Sequence, residues 1–197
     1  MADKTAATTH TGHTVADPGA GARNDSGLTA LVLGFFAAGW FSWTPEASGA
    51  WATAVKIGSI ASIVVAVFGG IRASRGQRNG AVLGDPATAQ RYGLVVAVTF
   101  ALALVGVGVL GVVEQATFRP VWVCAVVGLH FFPLAQVLRA PLTRWLGVAV
   151  TAVALAALAV GVFSTVSPST VTGTGTGVAL LAYSILLLSL PNNSRTR

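Results

Sequence analysis

One cysteine, one methionine and six acidic residues are all that 197 positions supply of those types, and each scarcity removes a class of chemistry. With Cys124 alone, an internal disulfide and a Cys-x-x-Cys metal site are both excluded. Its place inside an apolar stretch reads as a small buried side chain rather than a reactive thiol. His10 and His13 have no carboxylate or cysteine neighbours, so no metal site is expected of them. Gly76, Gly80 and Gly84 punctuate a loop near several arginines, but no Walker lysine-serine pair follows and no strand precedes it. That rules out a phosphate cradle and leaves a flexible basic loop beside anionic lipid headgroups. His130 has no visible nucleophile, metal partner or carboxylate beside it, so neither an enzyme nor a cofactor is expected.

Charge is the scarcest property of all. Charged residues make up 9% of the chain and hydrophobic ones 54%, against roughly 25% charged in an ordinary soluble domain. The mean hydropathy is +0.75 and the isoelectric point about 10.8. A high isoelectric point can mark nucleic-acid binding. Here no basic helix and no basic patch interleaved with aromatics accompanies it, so nucleic acid is excluded as a partner.

The apolar residues collect into six runs. A hydrocarbon core about 30 Å thick needs roughly 20 residues of helix at about 1.5 Å each, and the runs are read as spans over 28–43, 51–71, 92–113, 121–138, 145–165 and 171–190. The first and fourth are short, and tryptophans near their outer ends extend their usable length at the headgroup level. Residues 1–27 are rich in Ala, Thr, Gly and Asp without apolar periodicity and are expected to form a disordered tail. They do not resemble a secretory signal peptide, because the apolar run begins late. Cleavage at the small-residue run Ser48 to Ala50 is not expected behind the interfacial Trp40 and Trp43. Residues 191–197 form a second tail.

Basic residues orient these spans, since Lys and Arg are retained on the cytoplasmic side. Lys4 and Arg23 precede the first span. Arg72, Arg75, Arg78 and Arg91 are read into the second connection, Arg139 and Arg144 into the fourth, and Arg195 and Arg197 follow the sixth. The other connections hold Glu46, then Glu114 with Arg119, then no charge. Of the twelve basic residues only Lys56 and Arg119 miss the cytoplasmic side. The expected fold is therefore an all-α polytopic bundle of six transmembrane helices with both termini cytoplasmic, in a bacterial cytoplasmic membrane.

Small residues mark close helix packing. Ala54, Gly58, Ser62, Ala66 and Gly70 form one face of the second span, which predicts a centrally packed helix. Ile57, Ile60, Val64, Val67 and Ile71 form its bulky face. Gly173 and Gly177 make a further, weaker pair in the sixth span. Val96 to Thr99 and Val148 to Thr151 read identically, but in so Ala- and Val-rich a chain that does not establish an internal repeat.

Polar groups at membrane depth cost several kcal/mol unless paired or wet, so they mark candidate sites. Lys56 enters the second span on its bulky face and can snorkel outward. Glu114 closes the third span at the same surface and is its expected partner. His130 falls near the middle of the fourth span, where no side chain of its length reaches water. Pro133 cannot donate a backbone hydrogen bond and frees the carbonyl of Leu129, so a helix break beside the histidine is expected. The arrangement suits a proton relay or solute site, and equally a neutral histidine bonded to a neighbouring span. Ser59, Ser62, Thr99 or the freed carbonyl are its candidate partners.

The segment Gly128-Leu-His130-Phe-Phe-Pro133-Leu-Ala135 resembles a Gly-Leu-His-Phe-x-Pro-Leu-Ala segment of small multi-pass bacterial integral membrane proteins of uncharacterised function. The resemblance covers one span together with overall length and span count. It implies an integral membrane protein without assigned activity. In its plan of three hairpins the chain is also similar to six-span acid-stress membrane proteins, which implies a stress-related role.

Two functional classes follow. The favoured one is a non-catalytic membrane component, structural, stress-related or partner-binding, with the bilayer and a homo-oligomer or partner subunit as its contacts. The other is a small transporter or proton-coupled protein with a midplane site at His130 and with Lys56 and Glu114 near its outer mouth.

Overall fold

The computed structural model describes residues 18–44, 48–76, 86–138 and 140–189. Among these the chain is entirely helical apart from short turns, with no strand. The six helices are α1 (Pro18–Ser42), α2 (Gly49–Gly76), α3 (Pro86–Val112), α4 (Arg119–Val137), α5 (Leu142–Phe163) and α6 (Pro168–Ser189). A single 3-10 turn, Ala116–Phe118, leads into α4. Helix is the solution apolar runs of this length require, because only intrahelical bonding satisfies the backbone without water. Proline opens α1, α3 and α6, where its missing N–H costs nothing.

Among the described residues five segments are long and apolar enough to cross a membrane: Gly49–Ser74, Pro86–Val112, Ala116–Val137, Leu142–Phe163 and Pro168–Ser189. The apolar part of α1, Ser26–Ser42, is shorter. That helix is also the one most extensively packed against its neighbours, α2 and α6, so protein replaces much of the lipid it would otherwise meet.

Several helices outrun the apolar runs. α1 begins at Pro18, within the segment expected to be an unstructured tail, and α2 continues to Gly76. Arg72 and Arg75 therefore lie on α2 and Arg91 on α3, not in a connecting loop. Arg72 has a second task there: its guanidinium donates to the Leu188 carbonyl at 2.9 Å, satisfying part of the C-terminal turn of α6. Residues 1–17, with Lys4, His10 and His13, lie outside the described residues. So do Glu46, Arg78, Gly80, Gly84, Arg139 and the 191–197 tail.

The helices form pairs of neighbours in chain order, α1 with α2, α3 with α4 and α5 with α6, and α4 also packs broadly on α5. The central element is α6, which touches α1, α2, α4 and α5. This corrects the expectation of a central α2. A single small-residue stripe buries one side of a helix, and α2 leaves Ile57, Ile60, Val64, Val67 and Ile71 exposed on the other. The Gly-Thr tract of α6 carries more than its sequence implied: Gly173 and Gly177 are both buried, against Trp40 and Phe41 of α1 and Thr44 just beyond it. Thr172 stays compatible with an apolar interior by donating to the Pro168 carbonyl on its own helix at 3.0 Å, whereas Thr176 meets Cys124 of α4 at 3.1 Å and Thr174 Oγ1 is buried without a partner.

Three close approaches hold the bundle. Between α1 and α2, Gly27 and Gly34 meet Gly69, Ala73, Ser62 and Ala66 backbone to backbone. Between α4 and α5, a Cβ placed on Gly128 would lie 2.8 Å from Thr151 N, and one on Gly147 3.1 Å from Gly128 O. The third is the Phe41 ring, wedged between glycines of two helices: a Cβ on Gly58 would come within 2.7 Å of Cζ and one on Gly177 within 3.0 Å of Cδ1. Around these contacts Leu33, Ala37, Trp40, Cys124, Phe131 and Leu180 belong to one buried core that α5 completes with Leu146, Val150 and Ala154.

Candidate functional site

α3 packs chiefly on α4, carries no buried residue and leaves a gap between itself and α1. That gap is an open cleft of about 400 Å³. Phe36 and Trp40 of α1 form one wall, Val96 and Phe100 of α3 the other, and Val127 and His130 of α4 its floor. The lining is overwhelmingly apolar. Among the described residues, no lysine, arginine or carboxylate lines it.

Besides Ser42, Tyr92 and the indoles of Trp40 and Trp43, its lining holds one polar pair that joins α3 to α4. His130 Nδ1 lies 2.7 Å from Thr99 Oγ1, and the Thr99 hydroxyl donates to the Val95 carbonyl one turn back at 2.8 Å. A hydroxyl has one proton. Giving it to Val95 leaves Thr99 Oγ1 free to accept from Nδ1–H, so that both short contacts become hydrogen bonds, and that assignment puts the imidazole lone pair on Nε2. Nε2 makes no hydrogen bond with any described residue. The imidazole is half-buried, with Phe131 tilted beside it at a ring separation of 5.9 Å.

Of the candidate partners for His130, the structure selects Thr99. Ser62 instead donates to the Gly58 carbonyl on its own helix at 2.7 Å. Cys124, Gly128 and Ala135 are buried on the other side of α4, so this helix is covered on two sides, by α3 and by the α5 and α6 pair. The repeated Val-Ala-Val-Thr segments flank it: Thr99 of α3 meets His130, and Thr151 of α5 meets Gly128. Thr151 Oγ1 is buried there without a partner.

Pro133 lies within α4, which continues past it to Val137. The expected break is therefore absent. Proline removes one backbone donor, and α4 stays helical across the missing bond while packed on α3 and α5. Its side chain is exposed and takes no part in the cleft.

Lys56 and Glu114 are not brought together. Both are exposed and no ion pair joins them. Lys56 sits on α2, which packs on α1 and α6, whereas Glu114 ends α3, on α4. Glu114 has a different position to fill. It stands at φ 60, just past the end of α3, with its N–H on the Gly111 carbonyl at 3.4 Å and that of Gln115 on Leu110 at 2.8 Å. This is a Schellman cap with glutamate where glycine is usual, at a cost of roughly 1–2 kcal/mol for a residue with a Cβ.

Two residues near the other end of α4 complete the attachment of α3. Trp122 Nε1 donates to the Leu102 carbonyl at 3.0 Å, with its indole over Gly106. The Arg119 guanidinium lies against Gly111 in the last turn of α3, where a cation is favoured by the helix dipole. The fold is that of a multi-pass helical bundle. No family model matches the chain, and neither a curated protein nor a solved structure is significantly similar to it.

Proposed function

We propose that this chain is a non-catalytic component of a bacterial cytoplasmic membrane, related to the small multi-pass proteins that share its Gly-Leu-His-Phe-x-Pro-Leu-Ala segment, and that it holds an apolar molecule in the cleft between α1 and α3. The observation that carries this reading is the lining: apolar walls around one neutral, hydrogen-bonded histidine. Transport of ions or polar solutes would need a wet, charged path. Lys56 and Glu114, the charges assigned to such a path, lie away from the cleft. The exposed outer faces of α2 and α3 meet lipid, or a partner subunit or second copy in an assembly.

Farnesyl methyl ether is the test ligand. In nanodiscs it is expected to raise the unfolding midpoint of the wild-type protein, since a ligand that binds only the folded state stabilises it. Ala103→Phe, which fills the cleft, is expected to abolish that shift. Reconstituted protein is expected to conduct neither protons nor small polar solutes, and His130→Ala to insert and accumulate normally. Proton flux lost in His130→Ala would overturn the reading in favour of a proton-coupled transporter.

The same reading has both termini in the cytoplasm. Arg72, Arg75, Arg91 and Arg144 support this, lying at one end of their helices, with the Arg72 bond to Leu188 tying α6 to the same end. A cysteine at Ser167, beyond the other end, is expected to react with an impermeant maleimide from outside the cell. Reaction from the cytoplasmic side alone would invert the orientation.

A further inference from the structure

We propose that the cleft selects a lipid-soluble alcohol or phenol, an apolar molecule whose hydroxyl donates to Nε2 of His130. This rests on the cleft being a binding site and adds the chemical class of its occupant.

The polar lining decides the class. Ser42 and Thr99 have their protons committed, to the Gly39 carbonyl at 2.6 Å and the Val95 carbonyl at 2.8 Å. Trp40 and Trp43 offer only N–H donors. Tyr92 lies about two helical turns from Thr99 along α3, towards the end of the cleft. At the middle stands one uncommitted acceptor, Nε2, in the tautomer that lets Thr99 bond both Val95 and Nδ1. In hydrocarbon no water competes for that lone pair, so it gains most from a ligand that brings a proton. A ketone, ester or ether brings only lone pairs and leaves Nε2 unpaired. A carboxylate adds a charge that nothing in the lining neutralises. A hydroxyl on an otherwise apolar body fits both requirements, and a cleft of about 400 Å³ is within the roughly 300–1,000 Å³ range of small-molecule sites.

Thr99 is on this account a positioning residue. It fixes the tautomer, and through it which end of a hydrogen bond the ligand must supply.

The experiment compares farnesol with farnesyl methyl ether, which differ in the donor alone, on full-length protein in nanodiscs with ligand expressed as mole fraction in the bilayer. Wild type is expected to bind the alcohol roughly tenfold more tightly than the ether, the value of one hydrogen bond of about 1.4 kcal/mol. His130→Phe is expected to keep its affinity for the ether and to bind both alike. Thr99→Val is expected to bind the ether normally with a reduced preference for the alcohol, which loss of packing alone would not produce. Equal binding of both ligands by wild type would overturn the selectivity while leaving the cleft a binding site. Failure of both to bind wild type would overturn the two proposals together. The wild-type comparison decides the matter even if a variant does not accumulate.

Discussion

Gly69→Ala is expected to destabilise the folded bundle by about 1–3 kcal/mol, the usual cost of overpacking, and Gly69→Leu to separate α1 from α2. The neighbouring Gly70→Ala is expected to be close to neutral. A Cβ on Gly69 would stand 2.6 Å from Leu31 N and 2.8 Å from Gly27 O, both backbone atoms of α1, and backbone cannot swing aside as a side chain can. On Gly70 it would meet only the tip of Leu31, at 3.6 Å. Helix pairs in lipid associate by packing and hydrogen bonding rather than by escape from water, so a lost fit has little to compensate it. Unfolding in mixed micelles, with disulfide trapping between cysteines placed on α1 and α2, reads both effects. Equal losses for the two alanine variants would show that α1 does not sit on Gly69.

Phe41→Ala is expected to cost about 3–5 kcal/mol, as truncation of a buried aromatic does, while Phe35→Ala leaves stability nearly unchanged. Phe41 is 3% exposed and Phe35 69%, although they lie on the same helix. The Phe41 ring fills the space left by the missing side chains of Gly58 and Gly177, so it joins α2 and α6 through α1, and its loss opens a cavity at the meeting of three helices. The Phe35 ring exchanges protein contact for lipid at little cost. The same unfolding assay compares the two variants, and a Phe41→Ala protein as stable as Phe35→Ala would remove Phe41 from the core.

The helices were legible in the sequence because apolar length alone specifies them, and their number follows directly. Which faces meet was only partly legible. The α2 stripe was read through Ser62 and Ala66 correctly, then placed on Gly70 where the crossing with α1 shifts it to Gly69. A one-residue difference rotates a helix face by about 100°, and nothing in a stripe of small residues reveals its crossing angle. Lys56 and Glu114 were paired on depth, which topology supplies. They part because depth does not tell which helices are neighbours. Thr99 stood among the candidate partners of His130, yet singling it out requires knowing that α3 lies on α4. The cleft itself had no sequence signal, since it arises from two helices, α1 and α3, that do not pack closely on one another.

That gap gives α3 a separate mechanical character. With no buried residue, the helix leans on α4 through Thr99 with His130 and Trp122 with the Leu102 carbonyl. Such bonds are strong while the surroundings are dry and weaken once water can replace them. With packing partners only on α4 and the 3-10 turn before it, α3 is the helix whose outward displacement would break the fewest contacts, and such a displacement would open the cleft sideways towards the lipid without forming a pore. A molecule already dissolved in the membrane could enter and leave by that route without crossing a headgroup layer.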